Sequence, residues 1–269
     1  MVRNPVVAGQ FYPASRGSLA KQVESLVGKP SAKEDALGIV APHAGYIYSG
    51  HVAGMVFQSI KPKADYVILG PNHTGLGGPF GLDTNESWQT PLGEVRIDTD
   101  LARQIKKNCA SIKDDSLSHA HEHSIEVQLP FLQFLHADFK FVPITISYSS
   151  LSVYRAIGQA IAKSIKDLKM EKDVSIIASS DMTHYEPRES AKMKDSAAIE
   201  AMLELNEEKL VERVSEMEIS MCGYAPAAIM LTAVKSLGAK KARLVKYETS
   251  GDTSGDYSSV VGYAGIIIT

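Results

Sequence analysis

The chain has 269 residues, with 28 lysines and arginines against 31 aspartates and glutamates, 44% apolar and 22% charged residues. A net charge of -3 leaves no basic field for a phosphate backbone, and two cysteines, Cys109 and Cys222, exclude a disulfide framework or a four-cysteine zinc site. No apolar run approaches the ~20 residues of a membrane span, and Met1 to Pro13 lacks the core of a signal peptide, so a cytoplasmic location without nucleic-acid or membrane partners is expected.

In chain order, Leu37 to Ala41 reads as a buried strand, and Val52, Ala53, Val56, Phe57 and Ile60 recur at helical spacing. Tyr66 to Leu69 is a second strand that stops at Gly70-Pro71, and Glu94 to Asp98 alternates like a half-exposed one. Ile125, Leu129, Leu132 and Leu135 predict a helix that Pro130 should kink. Phe139 to Ser147 predicts a strand, which Pro143 assigns to an edge or a bulge. Leu151 to Leu168 reads as a helix, Val174 to Ala178 as a continuous apolar strand, and Glu189 to Met217 as one long or two shorter helices. A helix follows from about Pro226 to Gly238, then strands at Ala242 to Tyr247 and Ser259 to Ile268. Strands alternating with helices predict an α/β sheet covered on both faces, in one domain.

Four of these strands run into polar loops, three of them with glycine, Pro42 to Tyr46, Gly70 to Gly75 and Thr249 to Asp256, and the fourth without, Ser179 to Tyr185. In open α/β sheets ligands sit beyond the carboxyl ends of the strands. If the four are parallel, His43, His73 and His184 share one edge with several carboxylates. Imidazole and carboxylate are the usual ligands of Fe(II), Zn(II) and Cu(II), whereas a lone histidine at a strand end is more often a loop hydrogen-bonder.

His119, His121 and His123 form a further cluster. His119 and His121 read as a solvated loop, and His123, beside the next helix, as the one facing a site. Cys222, just before a helix start, is either a nucleophile with His184 as base or, more commonly for such a position, a small buried thiol. Gly75-Leu76-Gly77-Gly78 lacks the Lys-Ser/Thr ending of a phosphate loop, so no nucleotide cofactor is expected.

Six motifs, in order along nearly the whole chain, resemble the signatures of the Memo family. They are Val7 to Pro13, Ala41 to Tyr46, Gly70 to His73, Glu122 to Glu126, Ser179 to Asp181 with His184, and Tyr263 to Gly265. The resemblance implies a single Memo-like domain over residues 1–269. It also implies a three-layer sandwich with a mostly parallel or mixed central sheet, similar to the class III extradiol dioxygenases, non-haem iron enzymes that open catechol rings. On that basis His43 and His73 match two metal ligands, His184 matches an acid/base with Asp181 close by, and His123 matches a further pocket histidine.

Dioxygenases supply a glutamate as third ligand from the last loop, and animal Memo proteins a cysteine. Counting back from Tyr263-Ala264 puts Thr253 at that place, with Asp252 beside it as the carboxylate that completes the set. The expected cofactor is a divalent metal, Fe(II) ahead of copper or zinc. The expected function is metal-dependent redox chemistry on a small molecule. The alternatives are a non-catalytic protein that holds a peptide or small acid between Tyr46, Trp88 and Tyr185, and a zinc-dependent hydrolase. Self-association is left open.

Overall fold

The computed structural model describes residues 1–28, 32–136 and 138–269. The first half runs β1 (Val2–Arg3), α1 (Arg16–Leu26), β2 (Gly38–Ala41), α2 (Tyr46–Gln58), β3 (Asp65–Pro71), β4 (Phe80–Leu82), β5 (Ser87–Thr90), β6 (Gly93–Ile97), α3 (Thr99–Asn108) and β7 (Lys113–Asp114). A 3₁₀ turn (Glu126–Gln128) leads into α4 (Leu129–Leu135), followed by β8 (Lys140–Ile146) and α5 (Leu151–Asp167). The remainder is β9 (Val174–Ser179), β10 (His184–Glu186), α6 (Arg188–Leu203), α7 (Glu207–Glu216), α8 (Tyr224–Leu237), β11 (Ala242–Thr249), α9 (Gly251–Ser254) and β12 (Val260–Ile268).

The strands form one mixed sheet in the order β1-β5-β6-β8-β3-β9-β2-β12-β10, with β11 on the other side of β12 and β4 and β7 beyond β8. Its centre, β8-β3-β9-β2, is parallel. These strands are buried on both faces, which is why they read as continuous apolar runs rather than alternating ones. The period of two persists inside the runs. Val40, Val67, Leu69, Ile176 and Ala178 pack into the layer with α3, α5, α6 and α8. Ile39, Ala41, Tyr66, Ile68 and Ile177 pack into the opposite layer with α1, α2 and α4. The result is a three-layer α/β sandwich.

Two prolines behave differently from expectation. Pro130 lies in the first turn of α4, after the 3₁₀ turn, where its missing N–H breaks no helical bond, so it starts that helix instead of kinking it. Pro143 sits inside β8 at the place where the flanking partner changes from β6, opposite Lys140 and Phe141, to β4, opposite Ile144 to Ile146. It pairs with Ile68 on the other side. The span from Glu189 to Met217 resolves into two helices, with Asn206 capping α7 by accepting from the Lys209 amide. Gly238 ends α8 at φ 104°, a left-handed conformation that glycine adopts without strain.

Direction of travel is what builds the site. β2, β3 and β9 are parallel, and β11 reaches the same sense through two antiparallel steps, β2 to β12 and β12 to β11. All four polar loops therefore leave from one edge of the sheet. Among the described residues no helix is long and apolar enough to cross a membrane.

Candidate functional site

At that edge the structure gathers four histidines around a cleft of about 610 Å³, lined by His43, His73, His123 and His184 together with Asp181 and Tyr263. The His43 and His73 ring centres are 5.1 Å apart, His43 and His123 5.5 Å, and His73 and His123 4.9 Å with the rings stacked. Phe11, from the N-terminal segment, packs on His123 with ring centres 4.7 Å apart.

Three of the four, His43, His73 and His184, have one ring nitrogen engaged in a hydrogen bond. The Ser179 hydroxyl donates to the Ser124 carbonyl at 2.6 Å and accepts from the Gln128 amide at 2.7 Å. Its only proton is thus spent, so its 2.9 Å contact with His43 Nδ1 must have the imidazole N–H as donor. That leaves His43 Nε2 as the lone-pair nitrogen. His73 Nδ1 lies 3.0 Å from Glu122 Oε1, and a carboxylate only accepts, so here too Nδ1 donates. His184 Nδ1 donates to the Ser220 carbonyl at 2.9 Å. A histidine fixed through Nδ1 presents Nε2 in a set orientation, as metal-bound histidines usually do.

Glu122 is the brace beneath this arrangement. Its buried carboxylate takes the His73 ring and the backbone amides of His73, His123 and Ser124, at 2.6 to 3.0 Å. Burial alone would push its pKa up, but the hydrogen bond and charge of His73 and the Ser124 amide outweigh that and hold it at about 2. His73 in turn is pulled down by burial and raised, on balance, by Glu122. His43 is held well below its ordinary value, first by burial and then by its histidine neighbours, so it stays neutral. Burial lifts the Asp181 carboxyl to about 6 against the hydrogen bond from the His43 amide, which reaches Oδ1 at 2.8 Å.

The third member of the cluster is Cys222. Its sulfur is 3.2 Å from His43 Nε2 and 3.7 Å from the Asp181 carbonyl, and burial raises the thiol pKa. One donor atom each from His43, His73 and Cys222 fall within 4.8 Å of one another. Gly223 makes this approach possible: a Cβ there would stand 2.4 Å from the Ser179 carbonyl oxygen and from Ser180 Cβ, so only glycine lets the start of α8 lie against the end of β9.

Asp252 is not part of the cluster. Its Oδ2 accepts from the Thr249 amide and hydroxyl at 2.8 and 3.0 Å, and its Oδ1 from Arg188 at 3.1 Å, which ties α9 to β11 and α6. Thr253 donates its hydroxyl to the Ile47 carbonyl. Counting back from Tyr263 thus lands on a loop whose polar atoms are spent on its own backbone and rim, and among the described residues the donor groups close enough to share an ion include Cys222 at the start of α8 but not Asp252.

Sequence profiles bear on this constellation. A profile described as Memo-like protein matches residues 3–267. The chain belongs to the Memo family. It is 43% identical over 281 residues to a MEMO1 family protein of Methanopyrus kandleri, covering 99% of both chains. It is 45% identical over 287 residues to one of Methanococcus maripaludis, covering 100% of each. A third, from Methanocaldococcus jannaschii, is 43% identical over 286 residues, covering 99% of both.

Other expectations for this Memo chain meet the structure as follows. His119 is not in a solvated loop: it is fully buried, its Nε2 on the Gly81 carbonyl and its ring against Trp88 at 5.5 Å. His121 is exposed. Tyr46 and Trp88 do not line the cleft; Tyr46 is buried with its hydroxyl on the Val127 carbonyl, and Trp88 lies in the core beneath Arg3. Tyr185 does stand at the rim, 78% exposed, and Tyr48 joins it. Glu122 and Ser179, which orient the histidines, carry no signal of that role in the sequence beyond lying within the Glu122 to Glu126 and Ser179 to Asp181 motifs.

Proposed function

We propose that this Memo chain binds a transition-metal ion through His43, His73 and Cys222, and that the cleft in front of them receives a small organic molecule for metal-dependent redox chemistry. The observation that carries the reading is the convergence of one donor atom each from His43, His73 and Cys222, with the two imidazoles oriented by Ser179 and Glu122 and His43 Nε2 against the sulfur. Donors about 2.0–2.3 Å from a shared ion are separated by about 3.2–3.8 Å, and the 3.2 Å contact between His43 Nε2 and Cys222 is already at that spacing.

Two imidazoles and a thiolate form a softer set than two imidazoles and a carboxylate. Fe(II), which a carboxylate in third place would favour, accordingly stands level with copper and zinc. A bound ion would supply Lewis acidity to a substrate oxygen and, if iron or copper, a one-electron redox couple. The chain's own residues do the rest. His184, with Nδ1 held by the Ser220 carbonyl, keeps Nε2 for taking or giving a proton in the cleft. Asp181 spends Oδ1 on the His43 amide and fixes the His43 loop. His123, stacked on His73 and backed by Phe11, forms an aromatic wall for the substrate.

The test is anaerobic equilibrium dialysis of chelator-treated protein against Fe(II), Cu(I) and Zn(II), read by elemental analysis. One ion per chain is expected, with His73→Ala and Cys222→Ser each weakening binding by about a hundredfold or more. No ion retained at micromolar concentrations would end the proposal. The exposed Tyr48 and Tyr185 rim favours a second reading, a cleft that holds its ligand without chemistry. Ligand binding that survives His43→Ala and His73→Ala together would select it.

A further inference from the structure

The cluster of His43, His73 and Cys222 forms a wall between two cavities. The large cleft touches His43, His73, His123 and Asp181 but not the sulfur. Behind it lies a second cavity of about 450 Å³, lined by Asn72, His73, Thr74, Ser147, Tyr148 and Cys222 among others, and His73 is the one described residue that the two linings share. Contact between Cys222 and His43 Nε2 closes the wall from the cleft side.

The two cavities differ in chemistry. Asp181 and Asp256 give the cleft carboxylates, suited to cations and to hydrogen-bonding substrates. Among the described residues the rear cavity has no carboxylate, lysine or arginine in its lining. Its amide is already committed, since Asn72 Nδ2 donates to the Leu76 carbonyl while Oδ1 accepts from Thr74 and Gly75. Much of the remaining wall is apolar or aromatic: Pro71, Ile146, Ala225 and the Tyr148 ring, which stacks on Tyr224 at 5.7 Å. Walls whose one titratable side chain, His73, is already paired with Glu122 favour an uncharged ligand that the Ser147 and Tyr148 hydroxyls can meet, because a charged one would lose its hydration without a counter-charge.

We propose that the rear cavity is a second binding site, for a small uncharged molecule, which reaches the cluster from the Cys222 side while the cleft is occupied by another ligand. This goes beyond the metal reading, on which it rests only in treating the three side chains as one centre. Its test runs on metal-free protein, so failure to bind an ion and failure of the cavity are separate results.

The probe is iodoacetamide, small and neutral. The Cys222 sulfur displaces iodide to form an S–CH₂ bond, and the thiol proton goes to buffer. Labelling of Cys222 is followed by peptide mass spectrometry, with buried Cys109 as the internal reference. Ser147→Phe and Thr74→Phe fill the rear cavity from two different loops, and Ser259→Trp narrows the cleft. Ser147 and Ser259 make no side-chain hydrogen bond that the substitution would remove, and thermal unfolding checks that each variant is folded. Both rear substitutions should slow labelling by about tenfold or more, and Ser259→Trp should leave it within about twofold, since thiol reactivity follows access. A crystal structure of the labelled protein should show the acetamide arm in the rear cavity. Slowing by Ser259→Trp to the same degree, unchanged rates in both folded rear variants, or an arm lying in the cleft would overturn the proposal.

Discussion

The cleft has two walls, held in different ways. The wall carrying His43, His73 and His123 stands on buried charge. Beneath Glu122 lies Glu126, fully buried, whose carboxylate takes Arg3 at 2.7 Å, the Tyr12 hydroxyl at 2.6 Å and the amides of Val6 and Val7. Arg3 also donates to the His119 and Glu122 carbonyls and lies 3.9 Å over the Trp88 ring. This knot fastens the N-terminal segment, and with it Phe11, behind His123. The facing wall, from Thr249 to Val261, is mostly exposed and is held by hydrogen bonds near the surface, those of Asp252 to Thr249 and Arg188, of Thr253 to Ile47 and of Asp256 to Ser258. His43 and His73, whose directions are fixed by hydrogen bonds, sit on the braced wall, and the wall facing them is held more loosely.

The strongest way to break the comparison is to cut the brace. Glu126→Ala leaves the Arg3 guanidinium buried without its carboxylate and strips Tyr12 and two amides of their acceptor. A loss of about 3–5 kcal/mol is expected, read as a lowered denaturation midpoint. Phe11 should also loosen from His123, so the histidine resonances should broaden at temperatures where the rest of the protein is folded. A loss no larger than that of an exposed ion pair would mean that the knot is not what holds this wall.

That knot also marks how far the sequence could be read. The strands and their shared edge were legible because burial on both faces forces unbroken apolar runs, each ended by a polar loop. His43, His73 and His184 were legible for the same reason, each standing within a few residues of such a run. What could not be seen was contact between distant segments. His119 looks solvated in its polar stretch, but β4 and Trp88 close over it. Cys222 lies some 40 residues from β9, and only the close passage at Gly223 reveals that its sulfur meets His43. Asp252 stands out in the sequence because a carboxylate from the last loop is what the dioxygenase likeness implies, and its own hydrogen bonds become visible only in the folded loop.

A smaller effect separates the site from the rest of the sheet. Asp65 opens β3 at the end away from the cleft, and burial, followed by the neighbouring Asp98 carboxyl and its charge, pushes its pKa up to about 7, with Lys140 opposing. A carboxyl whose pKa is raised by folding binds its proton more tightly in the native state. Its contribution is therefore fully present below about pH 3.8 and is lost as pH rises through about 7. Asp65→Asn should remove that loss: little change in the unfolding midpoint at pH 4, and a gain on the order of 1 kcal/mol at pH 8. If the decline between pH 4 and 8 persists unchanged in the variant, its source lies in the histidine wall, and the contrast between braced site and neutral surroundings weakens.

The smallest expected effect is the sharpest test of which wall carries the metal. Asp252→Ala removes three hydrogen bonds, two to Thr249 and one to Arg188, all near the surface. It should cost about 1 kcal/mol or less, because water can replace what is lost. Its effect on metal affinity should stay within about twofold, against the hundredfold expected for Cys222→Ser, since a donor outside the cluster contributes no bond to the ion. Dialysis of the two variants side by side measures this difference directly. A tenfold or greater weakening by Asp252→Ala would mean that α9 swings inward when the ion binds. The loosely held wall would then supply the third donor after all, with Cys222 left as the thiol corner of the rear cavity.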